Sequence, residues 1–133
     1  MSKMKVIQAV NTQDYDSIDG LSCIAYWKRE NPYSADPIRY CRATLAPATP
    51  QDAIVGGHVI GIKNGTPHVY ITPILNSVNA SGNPEIFGVD ERDLVRVPDE
   101  HEQAILADND NRHKRSMLEE IERMNELMSQ KCG

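Results

Sequence analysis

Three cysteines and four histidines are the residues of this chain best suited to metal binding or catalysis. The cysteines are odd in number and far apart: Cys23, Cys41 and Cys132. This spacing fits neither a disulfide framework nor a CxxC pair, so we interpret them as reduced thiols. Cys41 has Thr44 three residues later, and His101-Glu102 is followed by Ile105 where a metalloprotease helix would carry its second histidine. From these residues we expect no metal and no other cofactor.

The clearest local element is a β-hairpin over residues 58–72, with Asn64-Gly65 at its turn. This dipeptide accepts the positive φ angles that a two-residue turn requires. The resulting register places His58 on an apolar face, so we predict a structural histidine bonded to a backbone carbonyl or to Asn79. Gly56-Gly57, just before it, favours a bulged entry to the strand.

Periodicity and turn residues predict the other elements more coarsely. We expect strands over residues 4–10, 86–89 and 94–97, an irregular proline-rich connection over 31–50 and a short helix over 99–107. Residues 21–29 could form a helix or a strand, and we favour the helix. Trp27, the only tryptophan, is predicted to lie in the core.

A C-terminal amphipathic helix is predicted from about residue 114 to residue 130. Its apolar stripe consists of Met117, Ile121, Met124 and Met128. The stripe covers barely two heptads, fewer than the three or four that identify a coiled coil. It could pack on the chain's own sheet, pair with a second copy, or bind a partner helix adaptably through its methionines.

Three stretches in the middle of the chain resemble a degenerate HNH-type, treble-clef zinc domain of small bacterial proteins. They are Tyr40-Cys41, Gly56-Gly57-His58-Val59 and the run from Tyr70 to Asn79, and the resemblance covers roughly residues 21–97. It implies that Cys41 corresponds to the first zinc ligand and His58 to the general base or a metal-adjacent group. Asn79 then corresponds to the asparagine that ends the second knuckle.

The chain departs from that family at the other three ligand positions. Thr44 or Leu45 stands in place of the second cysteine, and Leu75 and Val78 stand in place of the third and fourth. Apolar side chains pack without a metal, so we interpret the corner near residues 73–80 as zinc-free. An HNH nuclease needs a divalent ion beside its histidine, and Gly57 precedes His58 where active members carry Asp, Glu or His.

Length and charge fit a globular protein with an acidic tail. The chain has 133 residues and a net charge of −5, which disfavours a broad surface for nucleic-acid phosphates. No apolar run approaches the roughly 20 residues of a membrane span, so we expect a cytoplasmic protein that does not bind membranes. We predict an α+β fold, with a small, mostly antiparallel sheet in residues 1–98. The acidic helical segment 99–133 is predicted to belong to the same domain or to form a dimerisation arm.

The leading functional hypothesis is a non-catalytic interaction module that binds a protein partner through the zinc-free HNH-like scaffold and the C-terminal helix. The acidic tail is either a solvated face or, as a variant of this hypothesis, an inhibitor that mimics nucleic-acid charge. One alternative is a metal-dependent HNH-type nuclease that uses His58 and Asn79 with a recruited carboxylate such as Asp52 or Asp90. The other is a structural homodimer joined through the methionine stripe.

Overall fold

The computed structural model describes residues 3–10, 12–33, 38–81, 85–109 and 119–127, and its main element is a five-stranded antiparallel sheet. The strands are β1 (Lys3–Gln8), β4 (Ile54–Lys63), β5 (Thr66–Leu75), β6 (Ile86–Asp90) and β7 (Val95–Arg96), in the spatial order β6-β1-β4-β5-β7. A separate pair joins β2 (Ser17–Ile18) to β3 (Leu21–Ser22). The predicted α+β class is confirmed.

Of the α-helices in the described ranges, two lie between strands and two follow the last strand. They are α1 (Cys23–Glu30), α2 (Asn76–Ser81), α3 (Asp99–Asp108) and α4, which is helical over 119–127. The predicted helices near 21–29 and 99–107 are therefore confirmed, whereas residues 114–118 and 128–130 lie outside the described part. No helix in the described ranges has the length and apolar character needed to cross a membrane.

The β4–β5 hairpin has the predicted two-residue turn, with φ of 54° at Asn64 and 77° at Gly65. It is longer than predicted, because its ladder runs without interruption from Ile54 to Leu75. Gly56 and Gly57 are regular members of that ladder, so the expected bulge at this point is wrong.

Both faces of the sheet bury apolar side chains. One face holds a cluster that includes Ile7, Ile60, Ile71, Trp27, Ile105 and Ile121. The other face holds Met4, Val6, Val59, Tyr70, Phe87 and Val89. Because Ile105 of α3 and Ile121 of α4 are fully buried in the first cluster, the described parts of the acidic segment belong to the same core as the sheet.

A buried carboxylate attaches α3 to the sheet. The side chain of Glu102 is only 3% exposed and accepts hydrogen bonds from Nδ1 of His68 at 3.0 Å and the amide of Val69 at 2.9 Å. Arg96 donates two more, at 3.0 and 2.7 Å. Burial alone raises the pKa of Glu102, but the hydrogen bonds from Arg96, His68 and Val69 outweigh it and hold the pKa below its ordinary value.

The C-terminal helix closes one end of the β1–β4 ladder. Oδ1 of Asn125 accepts from the amide of Lys5 at 2.9 Å, and its Nδ2 lies 3.5 Å from the carbonyl oxygen of Ile62. Three arrangements were open for the methionine stripe. Ile121, which is fully buried against the sheet, shows the first of them, packing on the chain's own sheet. Met124 is half-buried, while Met117 and Met128 lie outside the described residues.

Candidate active site

The thiol of Cys23 and the imidazole of His58 meet in the folded chain, although 35 residues separate them in the sequence. Sγ of Cys23 lies 3.9 Å from Nε2 of His58. Cys23 is the first residue of α1, and His58 lies on β4 and faces that helix. Both residues are more than nine-tenths buried. A thiol and an imidazole in contact form the basic unit of nucleophilic cysteine chemistry.

The residues just before α1 explain why this helix begins at Cys23. Asp19 and Gly20 have positive φ angles and reverse the chain between β2 and β3. Ser22 then caps α1, because its Oγ accepts from the amide of Ala25 at 3.3 Å. The cap places Cys23 in the first turn of the helix, where backbone N–H groups have no intrahelical acceptor.

Gly56 explains how β4 comes close enough to that turn. A Cβ at Gly56 would lie 2.6 Å from the carbonyl carbon of Cys23 and 2.7 Å from the amide nitrogen of Ile24. Any larger residue would push the helix away from the strand. Because side chains alternate along a strand, Gly56 and His58 point to the same face, so the glycine makes room for the helix and the histidine meets its thiol.

The Cys23 thiol has two hydrogen-bonding groups within reach. One is Nε2 of His58, and the other is the backbone carbonyl of Tyr15, which lies 3.5 Å from Sγ. The predicted partners of His58 were a backbone carbonyl or Asn79. In the structure the side-chain contact of Nε2 is with Cys23 instead.

Burial and nearby charges keep both groups neutral. Burial, with a further contribution from the Asp16 carboxylate, raises the pKa of Cys23 to about 11. Burial also lowers the pKa of His58 to about 4; nearby His101 adds to this effect and Asp16 opposes it. At neutral pH the pair is therefore a protonated thiol beside an imidazole in its base form.

Cys23 and His58 both line a cleft of about 550 Å³. Its walls also include Asp16, Ser22, Asn76 and Asn79 as polar residues, and Ala9, Val10, Ile24, Val55 and Ala80 as apolar ones. Asp16 is the only Asp, Glu, Lys or Arg among the described residues that line it. The cleft thus offers a thiol, a base, neutral polar groups and one negative charge.

Asn79 is held on one side of this cleft by a buried side chain of β1. Nε2 of Gln8 donates to the backbone oxygen of Asn79 at 2.9 Å and to its Oδ1 at 3.2 Å. The Gln8 side chain is almost fully buried. Asn79 and His58 therefore share a cleft without bonding to each other.

The positions matched to the zinc ligands converge elsewhere, around Cys41. Cys41 is fully buried in an apolar cluster with Ile74, Leu75 and Val78. Burial raises its pKa, but hydrogen bonds from the Thr44 hydroxyl and nearby backbone amides outweigh it, so the net pKa is lowered. Within the described ranges, no cluster of three or more Asp, Glu, His or Cys side chains could hold a metal ion.

The carboxylates considered for a nuclease have local structural partners. Asp52 accepts from the amide of Ser77 at 3.0 Å and from its hydroxyl at 2.5 Å. Asp90 accepts from the amide of Arg92 at 3.2 Å. Neither carboxylate lines the cleft that contains His58.

Sequence reasoning missed Cys23, which it interpreted only as a reduced thiol. Two signals pointed to it: a serine cap immediately before a cysteine at a helix start, and a glycine two residues before a histidine on one strand face.

No family model, curated protein or solved structure matches this chain.

Proposed function

We propose that this protein is a thiol-dependent acyl-transfer enzyme, a hydrolase of amide or ester bonds, with Cys23 as nucleophile and His58 as general base. The observation that carries the proposal is the 3.9 Å separation of Sγ and Nε2 at the wall of an open cleft. Catalytic hydrogen bonds in unliganded enzymes are often long and tighten when substrate binds.

The chemistry follows from the protonation states. As Sγ attacks the carbonyl carbon of the substrate, the thiol proton moves to Nε2 of His58 and the carbonyl π electrons move to oxygen. Collapse of the tetrahedral intermediate breaks the bond to the leaving group, and the imidazolium returns the proton to the departing nitrogen or oxygen. Water, deprotonated by the same imidazole, then cleaves the thioester and frees Cys23.

Proton transfer is coupled to attack in this scheme. A thiol pKa of about 11 and an imidazole pKa of about 4 disfavour a preformed thiolate–imidazolium pair. The first-turn N–H groups and positive dipole end of α1 lie beside Cys23 and favour negative charge that develops on the substrate oxygen. The same helix terminus therefore supports the nucleophile and the oxyanion.

Acyl-enzyme formation tests the proposal. We expect p-nitrophenyl acetate to acetylate Cys23 in the folded protein, as shown by peptide mapping with mass spectrometry, with Cys41 as an internal buried control. His58→Ala should slow acetylation of Cys23 by about 100-fold or more, the usual contribution of a general base. Equal acetylation of Cys23 in the folded wild type and in His58→Ala would refute the catalytic pair.

A second candidate is an interaction module, which we assign to an exposed aromatic surface with arginines stacked against two of its rings, and not to the C-terminal helix that the sequence predicted. Tyr33, Tyr40 and Leu45 are 54%, 41% and 71% exposed. The guanidinium of Arg42 lies 4.1 Å from the ring centroid of Tyr40, and that of Arg92 lies 5.7 Å from the ring of Tyr33. Tyrosine and arginine are enriched where proteins bind one another.

Two variants test the binding candidate separately from the enzyme. If binding alone is the function, a partner seen by native mass spectrometry should be lost in Leu45→Asp and retained in Cys23→Ser. Leu127→Asp, which changes an exposed leucine on α4, tests the C-terminal helix as the alternative binding site. Retention of the partner in Leu45→Asp would exclude this surface as the binding site.

A further inference from the structure

The charge of the cleft limits what it can bind. Among its described lining residues the only one of the four strongly charged types is Asp16, an acid. Asp16 also lies close enough to Cys23 and His58 to shift the pKa of each. An anionic ligand would be repelled at this point, whereas a cation would find a counter-ion beside the nucleophile.

The orientation of the Asn79 amide follows from hydrogen-bond chemistry. The backbone oxygen of Asn79 can only accept, so the Gln8 atom that lies 2.9 Å from it must be the donor nitrogen. The same nitrogen lies 3.2 Å from a side-chain atom of Asn79, which must then be the acceptor Oδ1. The Nδ2 group, with two N–H donors, is therefore turned away from Gln8, and Asn79 lines the cleft.

We infer that the cleft selects amide substrates that carry a positive charge, with Asp16 pairing with the cation and Asn79 donating to the substrate's carbonyl oxygen. This assignment rests on the proposed acyl-transfer function. Its basis is the combination, in one cleft, of a lone carboxylate, an amide with an imposed orientation, and the thiol–imidazole pair.

The assignment also accounts for an otherwise unfavourable charge. A carboxylate in the same cleft as Cys23 stabilises the protonated thiol and opposes nucleophilic attack. A substrate cation paired with Asp16 would cancel most of that field. The substrate would thus remove part of the barrier to its own acylation, and neutral or anionic analogues would not.

Thiol labelling with reagents of opposite charge tests the selection by Asp16. The probes are 2-aminoethyl and 2-sulfonatoethyl methanethiosulfonate, each of which forms a disulfide with the thiolate and releases methanesulfinate. The experiment uses a Cys132→Ser background and measures the ratio of the labelling rates with the cationic and the anionic reagent. We expect this ratio to be about tenfold larger for Cys23 than for a free thiol, which is the effect of one nearby negative charge. Asp16→Asn should remove most of this preference, and Asp14→Asn, which changes an exposed acid outside the cleft, should retain it.

The donor role of Asn79 is tested by acylation. Asn79→Ala should slow acetylation of Cys23 by p-nitrophenyl acetate by about tenfold or more, since loss of one oxyanion donor has a large effect on rate. Its reaction with the two methanethiosulfonates, which contain no carbonyl group, should keep the wild-type ratio. Unchanged acetylation would overturn the assignment of Asn79.

Selection of cations and acyl transfer can be refuted separately. An unchanged charge preference in Asp16→Asn would overturn the selection of cations even if Cys23 is acetylated through His58. Absence of acetylation would overturn the enzyme, while the charge preference could still be measured, because methanethiosulfonates react with any accessible thiolate.

Discussion

Acid should destabilise this protein through His58. The folded chain keeps this imidazole neutral, with a pKa lowered from 6.5 to about 4, mainly by burial. Between these values the unfolded chain binds more protons than the folded one, so stability falls as the pH falls. The difference corresponds to about 3 kcal/mol when it is fully expressed at or below pH 4. By pH 5 about 2 kcal/mol should already be lost relative to pH 7.5.

Urea unfolding followed by circular dichroism at pH 7.5, 6.5 and 5 measures this loss, and His58→Gln provides the comparison. The variant is expected to be less stable at pH 7.5, because it disturbs a buried contact, but to lose about 2 kcal/mol less on acidification. An NMR titration of the His58 ring should show a midpoint near pH 4. A midpoint near 6.5, or a pH dependence that is the same in both proteins, would refute the argument that burial controls this histidine.

Two further predictions concern packing around the sheet. Glu102→Gln should lower the free energy of unfolding by about 3 kcal/mol at neutral pH, because it breaks a buried charged network. Asp99 pairs with the same arginine but is 87% exposed, so Asp99→Asn should change that free energy by less than about 0.5 kcal/mol. Urea unfolding measures both. The pKa of Glu102 is lower in the folded chain than its ordinary value of 4.5. Its contribution to stability is therefore fully present above pH 4.5 and is lost as the pH falls through the pKa of the folded state. Gly56→Ala should lower the melting temperature, because its Cβ would overlap the backbone of α1, whereas at Gly88 the nearest atom to a Cβ is the flexible end of Lys5 at 3.6 Å. Equal melting temperatures for Gly56→Ala and Gly88→Ala would contradict the close approach of strand and helix.

The elements that could be predicted from sequence are those that depend on neighbouring residues. The hairpin turn follows from Asn64-Gly65, because the φ angles that these residues tolerate also fix the strand register. Helix α1 was favoured over a strand from the short apolar segment 21–29, although its serine cap was not recognised. Local rules of this kind need no knowledge of the rest of the chain.

The candidate site depends on contacts between distant segments, which explains why it was missed. His58 was correctly predicted to lie beside the core, and it is 4% exposed. The identity of its neighbour is set by α1 packing across β4, and nothing in the spacing of Cys23 and His58 encodes that packing. The HNH-like interpretation directed attention to Cys41 instead, which the structure places in a separate apolar cluster.

The C-terminal segment that sequence analysis treated as a possible arm helps to shape the cleft. Asn109, at the end of α3, accepts from the amide of Val10 at 3.0 Å and donates to its carbonyl oxygen at 3.1 Å. This side chain satisfies both backbone groups of a residue just beyond β1, and it is itself 2% exposed. Val10 lines the cleft, so α3 fixes one wall while α1 supplies the nucleophile. A site assembled from both ends of the chain forms only when the whole domain has folded, which ties the reactivity predicted for Cys23 to the global stability that His58 and Glu102 control.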